Sequence, residues 1–174
     1  MNTEITVKSE KIFEGKIINL RVDTVELEDK KYTKREIVEH RGASAILAAN
    51  EENEIILVRQ YRKAVEDFIY EIPAGTLNIA EEPVECALRE LEEETGYKAE
   101  KINKIFEFFS SPGFSNEKIY LFKAENLVFT STKFDEDEFI ETVKVSKEEA
   151  EKMIKTGRIL DGKTLVGILY WLNS

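Results

Sequence analysis

Hydrophobic positions in the first third of the chain fall mostly on alternate residues. Ile18, Leu20, Val22, Val25 and Leu27 make one roughly alternating segment, and residues 34–40 make another. A period near two marks a half-buried strand. The polar run Glu28-Asp29-Lys30-Lys31 between them predicts a hairpin turn. Residues 43–49 are a short apolar run, and residues 54–61 carry Ile55-Ile56-Leu57-Val58. Asn50-Glu51-Glu52-Asn53 separates the two as a turn. A loop containing Pro73 and Gly75 leads into a helix. That helix starts near Pro83, a residue favoured in a first helical turn, and stops at Gly96, a residue favoured just past a helix end. Residues 102–109 and 118–124 are strand-like and flank the loop Ser110-Ser111-Pro112-Gly113-Phe114-Ser115. Residues 139–145 predict a last strand. Ser146, with Glu149 three residues on, predicts a capping box that opens a helix. A final helix within residues 163–172 carries Leu165, Ile168, Leu169 and Trp171. The expected class is α+β or α/β, with strands dominating the N-terminal half.

Composition narrows the picture. The chain has 174 residues, 42% of them hydrophobic, and a net charge of −10. That length and apolar content suit one folded domain with a real core, and room for a small appendage. The acidic balance argues against a general nucleic-acid binder and against a polybasic membrane-surface protein. Cys86 is the only cysteine, which excludes an intrachain disulfide and a thiolate zinc cluster. His40 is the only histidine, which excludes a histidine-rich metal site and argues against a Ser–His–Asp triad. It ends a strand and is expected to be structural. No apolar run approaches 18 residues, and residues 1–10 are polar, unlike a secretory signal. A reduced cytoplasmic location is the expectation.

The helix after Pro83 carries the chemistry. At 100° per residue, Val84, Leu88, Leu91 and Thr95 share one side with Ala87 beside them, and this is the expected buried stripe. Glu90, Glu93 and Glu94 share an adjacent sector. Three carboxylates at i, i+3 and i+4 repel one another, and the helix C-terminus disfavours anions. None has a lysine four residues on before the helix stops at Gly96. One reading is an acidic, solvated face. The other is a platform for a hard divalent cation, which takes carboxylate oxygens and turns their repulsion into attraction.

The wider spacing separates the two readings. Gly75, Glu81, Arg89-Glu90-Leu91, Glu93-Glu94 and Gly96 stand in a fixed pattern closed by Tyr97. This resembles the Nudix box, in which the last position is usually aliphatic. The segments Val58-Arg59-Gln60-Tyr61-Arg62 and Glu71-Ile72-Pro73-Ala74-Gly75 look like the ADP-ribose pyrophosphatase subgroup of that family. So do Ser111-Pro112-Gly113-Phe114-Ser115, whose proline lies 15 residues past Tyr97, and the acidic run Asp135-Glu136-Asp137-Glu138-Phe139-Ile140-Glu141.

The resemblance implies an α/β/α sandwich, a mixed sheet between helices, with an N-terminal antiparallel strand region. It divides the chain into residues 1–40, a dimerisation element, and residues 41–174, the hydrolase domain. It implies Mg²⁺, or Mn²⁺, held by Glu90, Glu93 and Glu94 and the Ala74 carbonyl. Arg89 becomes an orienting residue paired with a box carboxylate, Glu81 a supporting one, and Glu93 a catalytic residue as well as a ligand. The activity implied is hydrolysis of ADP-ribose to AMP and ribose 5-phosphate by a homodimer. The alternatives are another nucleoside diphosphate sugar or dinucleotide as substrate, or a non-catalytic nucleotide-binding module.

Outside the box, Arg59 and Arg62 are candidates for phosphate contacts, because a planar guanidinium pairs well with phosphate oxygens. A solvated strand edge is the competing reading. Arg35 with Glu36 is a weaker candidate, and Pro112 and Gly113 join the substrate set through the loop motif. A carboxylate beside the attacking water takes its proton. The resemblance puts that base in the acidic run, with Glu138 first, Glu136 second and Glu141 third. Phe13, Tyr32 and Phe114 are candidates for stacking on adenine. The charge supports this layout. Residues 81–97 hold a net −6, residues 135–141 a net −5, and the rest of the chain a net +1.

Overall fold

The computed structural model describes residues 3–131 and 140–174. In chain order its elements are β1 (Ile5–Glu14), β2 (Ile18–Glu26), β3 (Tyr32–His40), β4 (Ala43–Ala48), β5 (Ile55–Arg62), β6 (Asp67–Glu71), β7 (Ala74–Thr76), α1 (Pro83–Thr95), β8 (Tyr97–Phe109), β9 (Lys118–Phe129), β10 (Glu141–Val145), α2 (Lys147–Lys155) and α3 (Gly162–Leu172). The chain forms two compact units, Met1–Gly42 with Phe108–Lys118, and Ala43–Glu107 with Ile119–Ser174.

The first unit is an antiparallel meander in the order β1-β2-β3. Its β2–β3 turn is closed by the Leu27 N–H donating to the Lys31 carbonyl at 2.8 Å, with Lys30 left-handed at φ 63°. Leu20 faces Val38 and Val22 faces Glu36 across the ladder. β1 is an edge strand, exposed along its whole length, with two irregularities in its register against β2. The loop after β8 fastens onto β3. The Val38 N–H donates to the Phe114 carbonyl at 2.8 Å, and the His40 N–H donates to Asn116 Oδ1 at 2.8 Å.

The second unit holds the core. β4 is buried at every residue because it packs against both α1 and α3. That explains why its sequence is a continuous apolar run instead of an alternating one. It pairs parallel with β9 and antiparallel with β7, in the sheet order β7-β4-β9-β8. A second sheet, β10-β5-β6, is antiparallel, and Ile55 to Val58 of its middle strand are fully buried. Ile46, Ala48, Ile56, Ala87, Leu91, Phe122 and Ala124 form one core cluster. This mixed sheet with flanking helices is the α+β arrangement the sequence predicts.

Three details differ from the sequence expectation. β6 and β7 lie where a loop was expected. β7 is only Ala74-Gly75-Thr76, and it is a strand because it pairs with the start of β4, not through propensity. β8 and β9 extend well past the expected apolar cores. Finally, α1 buries Cys86, Ala87, Leu91, Glu94 and Thr95, while Val84 and Leu88 are exposed. The buried face is turned by roughly 60° toward the carboxylates. The small side chains of Cys86 and Ala87 let α1 approach β4 and β7 closely, and that approach carries Glu90 and Glu94 inward.

Candidate functional site

The helix α1 is set by its ends. Glu82 is the N-cap and its N–H donates to Glu85 Oε2 at 3.4 Å. Pro83 fixes the first helical φ. Gly96 takes the left-handed conformation, φ 75°, and its N–H donates to the Glu92 carbonyl at 2.9 Å. From β4, the buried Ser44 hydroxyl donates to the Pro83 carbonyl at 2.7 Å and ties the first turn to the sheet.

Against this frame the β7 backbone meets the helix carboxylates. A Cβ on Gly75 would fall 1.9 Å from Glu90 Oε1 and 2.0 Å from its carboxyl carbon. Only glycine leaves space for Glu90 there. Glu94, 5% exposed, accepts the Ala74 N–H at 3.0 Å. Arg89 gathers the rest. Its Nη1 donates to Glu90 Oε1 at 2.6 Å and to Glu93 Oε2 at 2.9 Å. Its Nε and Nη2 form a fork on Glu81, at 2.8 and 3.1 Å. The Asn78 N–H adds a bond to Glu81 Oε2 at 2.8 Å. The guanidinium holds the Glu81 carboxyl down at about 2, against the opposing push of burial, and Glu81 in turn raises the pKa of Arg89. Burial, then the nearby Glu90, push the Cys86 thiol up to about 11. Cys86 is therefore a neutral packing residue at pH 7, neither nucleophile nor thiolate ligand.

The donor set fits a hard divalent cation. Its side-chain donors are all carboxylate oxygens, and two of them, from Glu90 and Glu93, already converge on one positive nitrogen of Arg89. The space over Gly75 is kept for Glu90. Glu93 is the most open of the group, its side chain 44% exposed. Among the described residues no three acidic, histidine or cysteine side chains close on a single point within coordination reach.

The strand arginines are placed differently from each other. Arg62 donates Nε to Glu71 Oε1 at 2.6 Å and Nη2 to Oε2 at 2.9 Å, and Lys163 Nζ also reaches Oε2. Glu71 is 1% exposed. Burial raises its pKa, but Arg62 and Lys163 more than offset this and hold it below the ordinary carboxylate value. Arg59 Nη1 donates to Glu141 Oε2 at 3.1 Å, and its guanidinium lies 4.6 Å from the centre of the Phe68 ring. Glu141 thus sits in β10 directly opposite Arg59. Glu136 and Glu138 lie outside the described residues.

The remaining candidates belong to the first unit. Arg35 is exposed and forks onto Glu4, with Nε to Oε2 at 3.0 Å. Pro112 and Gly113 are exposed in the loop after β8. Phe13 and Tyr32 are exposed on the sheet, and the Tyr32 hydroxyl donates to Glu26. Phe114 lines a groove of about 330 Å³ with Ile17, Ile18, Val38 and Ser110. His40 packs at its wall, where its Nδ1 accepts the Gly42 N–H at 3.1 Å.

Sequence reasoning missed Glu71 as the partner of Arg62 and Lys163 as the partner of Glu71. An acidic residue closing the apolar end of β6 was a readable signal for Glu71. Lys163 carries no local signal, since its partner lies 92 residues away.

Comparison with known proteins places this geometry. Residues 38–165 match the model of the NUDIX domain, and residues 4–38 match the nucleoside diphosphate sugar hydrolase N-terminal domain. The chain is 50% identical over 169 residues to an ADP-ribose pyrophosphatase of Bacillus subtilis (strain 168), covering 96% of this chain and 91% of that protein. It is 46% identical, with the same coverage, to a methanol dehydrogenase activator of Bacillus methanolicus. A crystal structure of an ADP compounds hydrolase superposes with a TM-score of 0.84 over 98% of this chain and 94% of that one. At 18% identity that likeness speaks to the fold alone.

Proposed function

The chain belongs to the Nudix family, and on that premise we propose that it hydrolyses the pyrophosphate of ADP-ribose to AMP and ribose 5-phosphate. The observation that carries the reading is the assembled constellation of Gly75, Arg89, Glu90, Glu93 and Glu94. It stands in a chain half identical to an ADP-ribose pyrophosphatase over nearly its whole length.

Hydrolysis adds one water across the P–O–P bridge. One bridging P–O bond breaks, a new P–O bond forms to the water oxygen, and a proton leaves the water. The obstacle is negative charge on the substrate. A divalent cation held by Glu90, Glu93, Glu94 and the Ala74 carbonyl would neutralise phosphate oxygens and lower the pKa of the attacking water. Mg²⁺ is the ion proposed, with Mn²⁺ able to replace it. Arg89 holds the Glu90 and Glu93 carboxylates together on one guanidinium nitrogen. Arg59 and Arg62 offer guanidinium edges to phosphate oxygens, and the family resemblance adds Arg35, Pro112 and Gly113 as candidate substrate-binding residues. A carboxylate of the acidic run, Glu138 ahead of Glu136 and Glu141, takes the water's proton.

The reading extends to a cytoplasmic homodimer. Residues 1–40 are its dimerisation element, supported by an edge strand whose Ile5, Val7, Ile12 and Phe13 are each more than half exposed. The buried, unpaired Cys86 suits a reducing compartment. Sedimentation velocity at micromolar concentration checks the dimer. The second substrate reading is another nucleoside diphosphate sugar, supported by the match of residues 4–38.

A hydrolysis panel tests the function. ADP-ribose, ADP-glucose, GDP-mannose, NADH, diadenosine polyphosphates and 8-oxo-dGTP are each offered with Mg²⁺ and with Mn²⁺. The expected result is the highest kcat/KM on ADP-ribose, with AMP and ribose 5-phosphate as products. A preference for GDP-mannose moves the assignment to the second reading. No turnover on any member overturns the enzyme assignment.

A further inference from the structure

We propose that Thr164, supported by Lys163 and Gly167, is a positioning residue that fixes the Glu71–Ala74 backbone beneath the box carboxylates. The inference rests on the metal reading of Glu90, Glu93 and Glu94.

The Ile72 N–H is buried and donates to Thr164 Oγ1 at 2.8 Å. Pro73 has no N–H, and its carbonyl accepts the Ile46 N–H at 2.8 Å. The Ala74 N–H donates to Glu94 Oε2 at 3.0 Å. Each donor from residue 72 to residue 74 is therefore committed, and the first is committed to α3.

Thr164 is built for that single contact. It is fully buried, its hydroxyl donates to Asp161 Oδ2 at 2.6 Å, and its N–H donates to the same oxygen at 2.9 Å. With the hydroxyl proton spent on Asp161, a lone pair is left aimed at Ile72. Lys163 ties the same helix end to the strand, bridging Glu71 Oε2 and Asp161 Oδ1. One turn on, a Cβ at Gly167 would lie 3.3 Å from Ile72 Cδ1, so the helix seats closely on that side chain. Here a buried hydroxyl, a salt bridge and a close glycine all act on the two residues that precede Pro73-Ala74.

The test compares Thr164→Val, Thr164→Ser and Gly167→Ala with the parent chain. Mn²⁺ affinity is measured by electron paramagnetic resonance titration, beside thermal unfolding and kcat and KM on ADP-ribose. Partners one step behind metal ligands typically change affinity by tenfold to a hundredfold. Thr164→Val, which removes the acceptor of the Ile72 N–H two residues before Ala74, is expected to weaken Mn²⁺ binding by up to about tenfold, and Gly167→Ala, which asks Ile72 Cδ1 to give by a few tenths of an ångström, by a smaller factor. Their kcat falls while KM holds, and Thr164→Ser restores both. Gly167→Ala keeps the hydrogen bond and adds helix propensity, so it remains informative if Thr164→Val does not fold. A parent that binds Mn²⁺ and a folded Thr164→Val or Gly167→Ala that binds it equally well overturn the inference alone. A parent that takes up no Mn²⁺ overturns the metal reading as well.

Discussion

A Cβ on residue 75 would land on the Glu90 carboxylate where it now lies. Gly75→Ala must therefore push Glu90 aside, and a displacement near 1 Å at a reacting centre costs on the order of a hundredfold in rate. The expected outcome is a kcat reduced by about that factor in a chain that still folds, measured by steady-state hydrolysis beside circular dichroism. Arg89 and Glu81 make a different prediction. The Glu81 carboxyl is held at about 2 in the folded chain, below its ordinary value of 4.5. Its folded pKa is the lower one, so the unfolded chain binds the extra proton between those limits. The stability Glu81 contributes is present above pH 4.5 and is lost as pH falls toward about 2. Glu81→Gln is thus expected to melt below the parent at pH 7, with the gap closing progressively between pH 4.5 and pH 2. A gap that stays constant with pH contradicts the ion pair as its source.

At the scale of elements, α1 shows what the sequence could and could not convey. Its ends were legible because Pro83 and Gly96 act through local backbone geometry. Its buried face was not, since the helical periodicity of the apolar positions pointed the stripe toward Val84 and Leu88. Those two are exposed, while Glu94 is buried against the Ala74 N–H. The inward turn depends on β7, a three-residue strand that exists only through pairing with β4. The Nudix spacing was legible for the opposite reason, since each fixed position answers to a contact of its own, Gly75 to Glu90 and Arg89 to Glu81. Lys163 and Thr164 left no trace, because their partners lie 92 residues away in the chain. The face itself can be checked by chemical denaturation. Leu91→Ala, at a fully buried position, is expected to cost about 2–5 kcal/mol. Leu88→Gln, at an exposed one, is expected to cost less than about 1 kcal/mol. Equal costs would restore the stripe read from periodicity.

At the scale of the whole molecule, the net charge of −10 is not spread evenly. Residues 81–97 carry −6 and residues 135–141 carry −5, which leaves the rest of the chain at +1. Inside the first of these segments one arginine already faces Glu81, Glu90 and Glu93. Repulsion not met by Arg89 makes the folded chain a better host for a divalent cation than the unfolded chain, where the carboxylates separate. Anything that binds the folded state alone stabilises it by mass action, by about 2.7 kcal/mol at a hundred times its Kd. For a chain of this size each kcal/mol moves Tm by about 2–4 °C. Saturating Mg²⁺ or Mn²⁺ is therefore expected to raise Tm by about 5–10 °C, while NaCl of equal ionic strength leaves it nearly unchanged. Glu90→Gln should abolish that rise, because it removes the carboxylate seated over Gly75. Differential scanning calorimetry with and without chelator reads this directly. A rise that survives in Glu90→Gln would move the cation to the acidic surface at large and away from the box.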